Sequence, residues 1–381
     1  MKKKNLSGGQ SFGQLILKFV RDNSVPIMFV LICAFCIPRA DLSWSYLLNE
    51  VMTRLGRNAF LILSLLIPVM AGMGMNFGMT LGAMAGEIGL IFAADWQVWG
   101  IPGLILAAII SIPISILLGV MIGRLLNKSK GREMITSYMI SFTMNGVYQF
   151  IVLFMMGPII PIIHDSIKLP RGYGIRNTVS LLSMRQSVDN LLAFSVGGVK
   201  IPVLTLIIIA IACLFILWFR KTKLGQDMRA VGQDMEVARD AGIDVERTRV
   251  ISMVISTVFA GFGMIIYLQN VGNFPTYSAH SQIGMFSIAA LLVGGASVDK
   301  ASIKNVFLGI ILFHTMFIVA PRTGAAITGD SMIGEYFRVF VSYAVITLAL
   351  VMYESKKRKA KSAAGLQLAA EQLAEEEEKA K

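Results

Sequence analysis

The sequence predicts an all-α membrane protein, a polytopic bundle of about ten transmembrane helices with one long polar loop on the cytoplasmic side. Three observations lead there. Of 381 residues, 55% are hydrophobic and only 15% charged, against about a quarter charged in soluble domains. Apolar runs near the length that a membrane helix needs, about 20 residues, recur along the chain. The formal net charge of +12 gathers at segment ends and in loops, as expected where positive residues are retained on the cytoplasmic side. No nucleic-acid-binding motif accompanies it, so the basic balance implies no nucleic-acid partner.

Taken in order, residues 1–24 form a cytoplasmic N-terminal segment. Met1-Lys2-Lys3-Lys4 is basic, but the chain stays polar to Gln14, unlike a cleavable signal peptide. The transmembrane domain spans 25–353, with apolar runs at 25–38, 58–79, 80–97, 98–123, 134–156, 201–219, 249–271, 283–298, 303–320 and 334–353. The third run is short and glycine-rich, consistent with a broken or re-entrant segment. Cys33, Cys36 and Cys213 all lie within apolar runs. Without a basic neighbour to favour a thiolate, they read as small hydrophobes.

An inside N-terminus and ten crossings return the C-terminus inside. That leaves Arg124, Lys128, Lys130, Arg132, the stretch 220–248 and the charged tail 354–381 in the cytoplasm. The expected site is thus a bacterial inner membrane, with both termini cytoplasmic. The loop 157–200 falls outside despite its basic residues, being long enough for the charge rule to weaken. Within it, Val179, Leu182, Val188, Leu191 and Leu192 approach helical spacing, which predicts an interfacial helix.

Candidate functional residues fall into two groups. Gly74, Gly78, Gly82 and Gly86 recur every four residues, which clears a helix face for close packing or for lining a cavity. Asn76 and Phe77 interrupt that glycine series. Glu87 is a carboxylate inside an apolar run, a candidate for a solute path or a hydrogen-bonded structural group. Asn145 and Gln149 share one helix face, suited either to binding a polar solute or to joining two helices. His164 and His280 fall in distant loops, and His314 reads as a packing residue, so no metal-ligand set forms. No phosphate-binding glycine loop, nucleophile triad or zinc-protease helix is present, and no cofactor is implied. Few carboxylates lie within the apolar runs beyond Glu87, against the proton relay of an ion-coupled carrier.

The second group lies in Lys221–Arg247. Thr222-Lys223-Leu224-Gly225, Arg229-Ala230-Val231-Gly232 and Ala238-Arg239-Asp240-Ala241-Gly242-Ile243 combine small residues, mixed charge and glycines expected to end short helices. This pattern resembles the cytoplasmic coupling loop of permease subunits of ABC importers, in the group handling simple sugars, nucleosides and branched-chain amino acids. Gly72 to Gly78, Gly131 to Ser137, Ser256 to Gly263 and Leu292 to Ser297 are similar to other segments of that group. The likeness covers most of 55–350.

The resemblance implies a non-enzymatic subunit that provides the path for a small polar solute while a separate ATP-binding subunit hydrolyses ATP. It implies a second permease subunit, identical or a sister chain, and an extracytoplasmic solute-binding protein, with membrane lipid around the bundle. Gly225, Arg229, Gly232, Glu236, Arg239 and Gly242 would couple to the ATPase. Asn76, Phe77, Glu87, Asn145 and Gln149 suit a neutral hydroxylated solute such as a simple sugar or nucleoside, with a branched-chain amino acid as the alternative. Asp234, where sugar and nucleoside members usually carry Asn, departs from the pattern.

Overall fold

The computed structural model describes residues 23–330 and 332–340, with Val20 and positions 343, 344, 347, 351 and 355. The expected charged tail, most of the N-terminal segment and part of the tenth apolar run lie outside the described residues. The chain is a helical membrane bundle. Its helices are α1 (Ser24–Cys36), α2 (Trp44–Ser64), α3 (Leu66–Met70), α4 (Met79–Asp95), α5 (Gly100–Asn127) and α6 (Glu133–Phe150), the last continuing into a π-helical turn at Ile151–Met155. After the loop come α7 (Ser187–Asn190), α8 (Val203–Phe219), α9 (Lys223–Gln233), α10 (Met235–Asp240), α11 (Val245–Val271), α12 (Ala279–Val293) and α13 (Ile303–Thr328).

Every expected apolar run from 25–38 to 303–320 holds a helix, but the count of ten full spans is not confirmed among the described residues. Among the described residues, five helices are long and apolar enough to cross a membrane, or six if the pair α8–α9, bent by 74°, counts as one span. The physical reason is length: α1 has 13 residues, α4 17 and α12 15, short of the roughly 20 needed at 1.5 Å per residue.

The centre of the bundle is α11, packed along α5, α4 and α2. Small residues permit this closeness. A side chain at Gly82 would run into the Thr257 backbone, and one at Gly86 into the Gly261 carbonyl. Phe60 stacks on Phe259 at 5.2 Å. Dense packing of this kind is the main source of helix association where lipid removes the hydrophobic drive.

The loop 157–200 is ordered by two buried carboxylates. Asp95 accepts from the backbone N–H groups of Ile163 and His164, both at 2.9 Å. Asp189 accepts from Thr205 (2.5 Å), Gln269 (2.9 Å) and Asn270 (2.7 Å), fastening the loop to α8 and α11. At its exposed edge, a hydrogen bond from Lys168 holds the Asp165 carboxyl below its usual range.

The expected interfacial helix over 178–194 does not form. Thr178–Ser180 is strand β1, and a single 3-10 turn and the four-residue α7 follow it. Ala193–Val196 (β2) and Val199–Pro202 (β3) then form a hairpin. β1 pairs antiparallel with β4 (Asn273–Pro275), Thr178 opposite Pro275. Backbone pairing to a distant segment overrode the local apolar spacing, and the left-handed Gln186 and Leu192 interrupt any continuous helix.

Candidate solute cavity and coupling surface

Helix α6 carries polar residues at every fourth position: Glu133, Ser137, Ser141, Asn145 and Gln149. Such a row is a ridge that winds about 40° around the helix per step, so successive members meet different neighbours. The opposite face is apolar and exposed, with Ile135, Met139 and Phe142 among its residues.

The middle of the ridge supports a break in the bundle. Between α3 and α4 the chain is not helical, and its backbone groups need partners at membrane depth. Ser137 Oγ accepts from Phe77 N–H at 3.0 Å, while Ser141 Oγ donates to the Phe77 carbonyl at 2.8 Å. Asn76 completes the break locally, its Oδ1 accepting from Gly78 N–H at 3.0 Å. Asn76 itself is fully buried.

Further along, Gln149 Nε2 donates both to the Tyr277 carbonyl (3.0 Å) and to Asn145 Oδ1 (3.2 Å). The carbonyl can only accept, so the orientation of both amides is determined. His280 Nε2, 2.9 Å from the same Asn145 Oδ1, must then be a donor. Its other nitrogen lies 2.9 Å from Glu87 Oε2. One proton sits on that line, and whichever atom carries it, the Glu87–His280 pair has no net charge. Both side chains are sealed from solvent, and Tyr148 packs edge-on against the imidazole at 4.9 Å.

This network floors a cavity of about 280 Å³ lined by Phe77, Tyr138, Asn145, His280, Gln282 and Phe286, among others. Among the described residues its lining holds no Asp, Glu, Lys or Arg. Asn145 Oδ1 is occupied, which leaves its Nδ2 donor for a solute. Aromatic faces with a few oriented neutral polar groups suit a neutral, partly flat or ring-shaped molecule.

Below the break lies the polar stretch 221–247. Thr222, Asp234 and Asp244 cap α9, α10 and α11 by accepting backbone N–H groups. Because Asn caps a helix as well as Asp does, Asp234 has a structural role that says nothing of the solute. Gly242 ends α10 in the left-handed conformation at φ +82°, as expected. Gly232 does not end a helix. It lies inside α9, where a side chain would collide with the Met70 carbonyl, and a Cβ on Gly72 would come within 2.9 Å of Gly232 Cα. Two backbones touch there: that of α9 and that of the break between α3 and α4.

Residues 48–350 match the family described as branched-chain amino acid transport system / permease component. The chain belongs to this family. It is similar to a nucleoside ABC transporter permease of Lactococcus lactis, 25% identical over 80% of this chain and 79% of the relative. A D-allose transport system permease of Escherichia coli is 26% identical over 66% and 71%. A xylose transport system permease of Haemophilus influenzae is 28% identical over 42% of this chain, but that match spans less than half of the relative, 41%. No solved structure matches. The protein is thus an ABC importer permease, a multi-pass inner-membrane protein and not an enzyme.

Of the expected path residues in this permease, Phe77 and Asn145 line the cavity. Glu87 stands behind His280, Gln149 behind Asn145, and Asn76 shapes the break. Among the coupling residues, Gly225 packs against the Phe219 carbonyl. Arg229 faces a cleft of about 300 Å³ shared with Met70, Gly232 and Lys300. Glu236, Arg239 and Gly242 are exposed on and beside α10, with Val237 65% exposed between them.

Four residues of these networks escaped the sequence reading. His280 is not a loop residue: it opens α12 at 1% exposure. Ser137 and Ser141 follow from extending the Asn145–Gln149 spacing backwards by two steps. Arg249, read as a segment boundary, is completely buried, with Nη2 2.6 Å from Glu133 Oε1 and Nη1 2.9 Å from Met235 Sδ in α10.

Proposed function

We propose that this permease forms the translocation path of an ATP-driven importer for a neutral polar solute, a nucleoside or simple sugar, by alternating access. The observation that carries the reading is the backbone contact of Gly232 with Met70 and Gly72. It joins the helix expected to receive an ATP-binding subunit directly to the break whose Phe77 borders the cavity.

In this reading both termini are cytoplasmic and the exposed α10 surface, Glu236 to Gly242, seats the ATP-binding subunit. Closure of that subunit pushes α9–α10. Gly232 passes the displacement to the break, while Arg249 passes it to Glu133 at the foot of α6. Because α6 holds both Phe77 and the Asn145–His280 floor, the cavity walls move together and its opening changes sides. A second permease subunit, identical or a sister chain, completes the pathway, and a solute-binding protein delivers from outside. The relatives named for nucleosides and sugars support this substrate class, as does the uncharged cavity lining. A branched-chain amino acid fits less well, since its ammonium and carboxylate would find no charged partner in that lining.

Proteoliposomes containing the permease, its ATP-binding subunit and its binding protein test the reading. ATP-dependent accumulation of labelled uridine or D-xylose that Arg239→Glu abolishes is the expected result. Uptake without the ATPase, collapsing with an uncoupler, would instead identify an ion-coupled carrier.

A further inference from the structure

A second cavity, about 310 Å³, lies between α2, α12 and α13 and abuts the solute cavity through shared Gln282 and Phe286. Its polar lining differs in kind: Arg54, Arg57, His314 and Arg338 converge there. Arg54 Nε has Glu50 Oε2 at 3.4 Å, and Arg338 Nη2 has Glu335 Oε2 at 2.6 Å. Arg57 has no ion pair among the described residues. Its guanidinium lies 5.1 Å from the centre of the Tyr267 ring, and its buried Nε has no hydrogen-bond partner among the described residues. His314, 6% exposed, has a buried Nδ1 that likewise has none among them.

Buried cations that are retained are as a rule paired. Among the described residues, Arg54 and Arg338 each meet a carboxylate, while Arg57 meets none and lines the same cavity as the His314 imidazole. A planar guanidinium with free N–H groups is the side chain best suited to grip two oxygens of one anionic group. Phe286, Phe313 and Phe317 line the cavity as well, the Phe317 ring lying 4.5 Å from the Arg338 guanidinium, and offer apolar contact to the carbon skeleton of the group's carrier.

We propose that this cavity is a binding site for a phosphate or carboxylate group, held by Arg57 with Arg54 and His314. The group belongs either to a soluble molecule or to a phospholipid head whose acyl chains stay in the bilayer. Binding needs neither ATP nor transport, so the test stands apart from the importer reading.

The test uses the full-length permease in dodecyl maltoside, which carries no phosphate or carboxylate, titrated with inorganic phosphate or succinate, and in the same detergent with added phosphatidylglycerol. Thermal unfolding is the readout. A saturable rise in midpoint with phosphate or succinate identifies a soluble ligand; a rise only with phosphatidylglycerol identifies the lipid head. In either case Arg57→Gln weakens the effect by about tenfold or more, and Arg57→Lys keeps part of it. If Arg57→Gln does not fold, Arg54→Gln and His314→Gln carry the comparison. Absence of any shift in the wild type overturns the proposal. So does a shift left unchanged in the variants, because the anion then binds elsewhere.

Discussion

Glu133 and Arg249 form an ion pair at 2.6 Å in which the arginine is fully buried, and it joins the first residue of α6 to the α10–α11 corner. Removing one partner of such a pair leaves a stranded charge, at a cost of about 3–5 kcal/mol. Glu133→Ala and Arg249→Ala should each lower stability on that scale. The double substitution Glu133→Leu with Arg249→Met should recover much of the loss. Thermal or denaturant unfolding of the purified permease measures all of them. If the transporter assembled with the recovered double variant hydrolyses ATP without uptake, the pair transmits motion as well as stabilising the corner.

Gly232 carries the contact between α9 and the break. Gly232→Val places a side chain against the Met70 carbonyl and should push α9 away, so that ATP hydrolysis continues while uptake falls. Paired ATPase and uptake assays in proteoliposomes read the ratio. Normal coupling in this variant would remove the contact from the mechanism. Gly242→Ala is a milder control: its left-handed backbone costs about 1 kcal/mol with a Cβ, and coupling should survive.

The Glu87–His280 pair separates geometry from charge. Glu87→Gln still offers a hydrogen bond to His280 Nδ1 and should cost about 1 kcal/mol of stability. His280→Leu strands the carboxylate and frees Asn145, and should cost about 3 kcal/mol or more. Unfolding midpoints rank the two. Equal losses would mean that the imidazole merely fills space.

Asn145 is the cavity residue whose two ends do different work. Asn145→Asp keeps an acceptor for His280 and Gln149 but deletes the Nδ2 donor of this cavity-lining residue. The expected result is a KM raised by about tenfold or more, as for loss of one buried hydrogen bond to a ligand, with turnover at saturation much less affected. Initial-rate uptake over a range of solute concentrations measures both.

Much of this was legible in the sequence, and for a physical reason. Apolar runs report which segments avoid water, so the helices fell where expected. The broken segment was expected in the glycine-rich run 80–97, but that run holds the continuous α4 and the break falls just before it, at 71–78. Helix length was less legible, since hydropathy does not tell a half-length buried helix such as α12 from a full span. Asn145 and Gln149 could be paired because they lie one turn apart. His280 could not be joined to Glu87, 193 residues away, or to Asn145, 135 residues away, because no local pattern encodes a contact made by folding. The role of Gly232 was misread likewise: its need for glycine comes from another segment's carbonyl and not from its own turn.

The ridge on α6 also bears on how this helix can vary over evolutionary time. Its five polar residues meet α11, the break, α12 and the Tyr277 carbonyl in strict four-residue register. One inserted or deleted residue between Glu133 and Gln149 would rotate everything beyond it by about 100°. All contacts on one side of the change would be lost together. Single positions along α6 are therefore open to conservative exchange, whereas its length is not, and insertions or deletions among descendants should fall in the loops at its two ends.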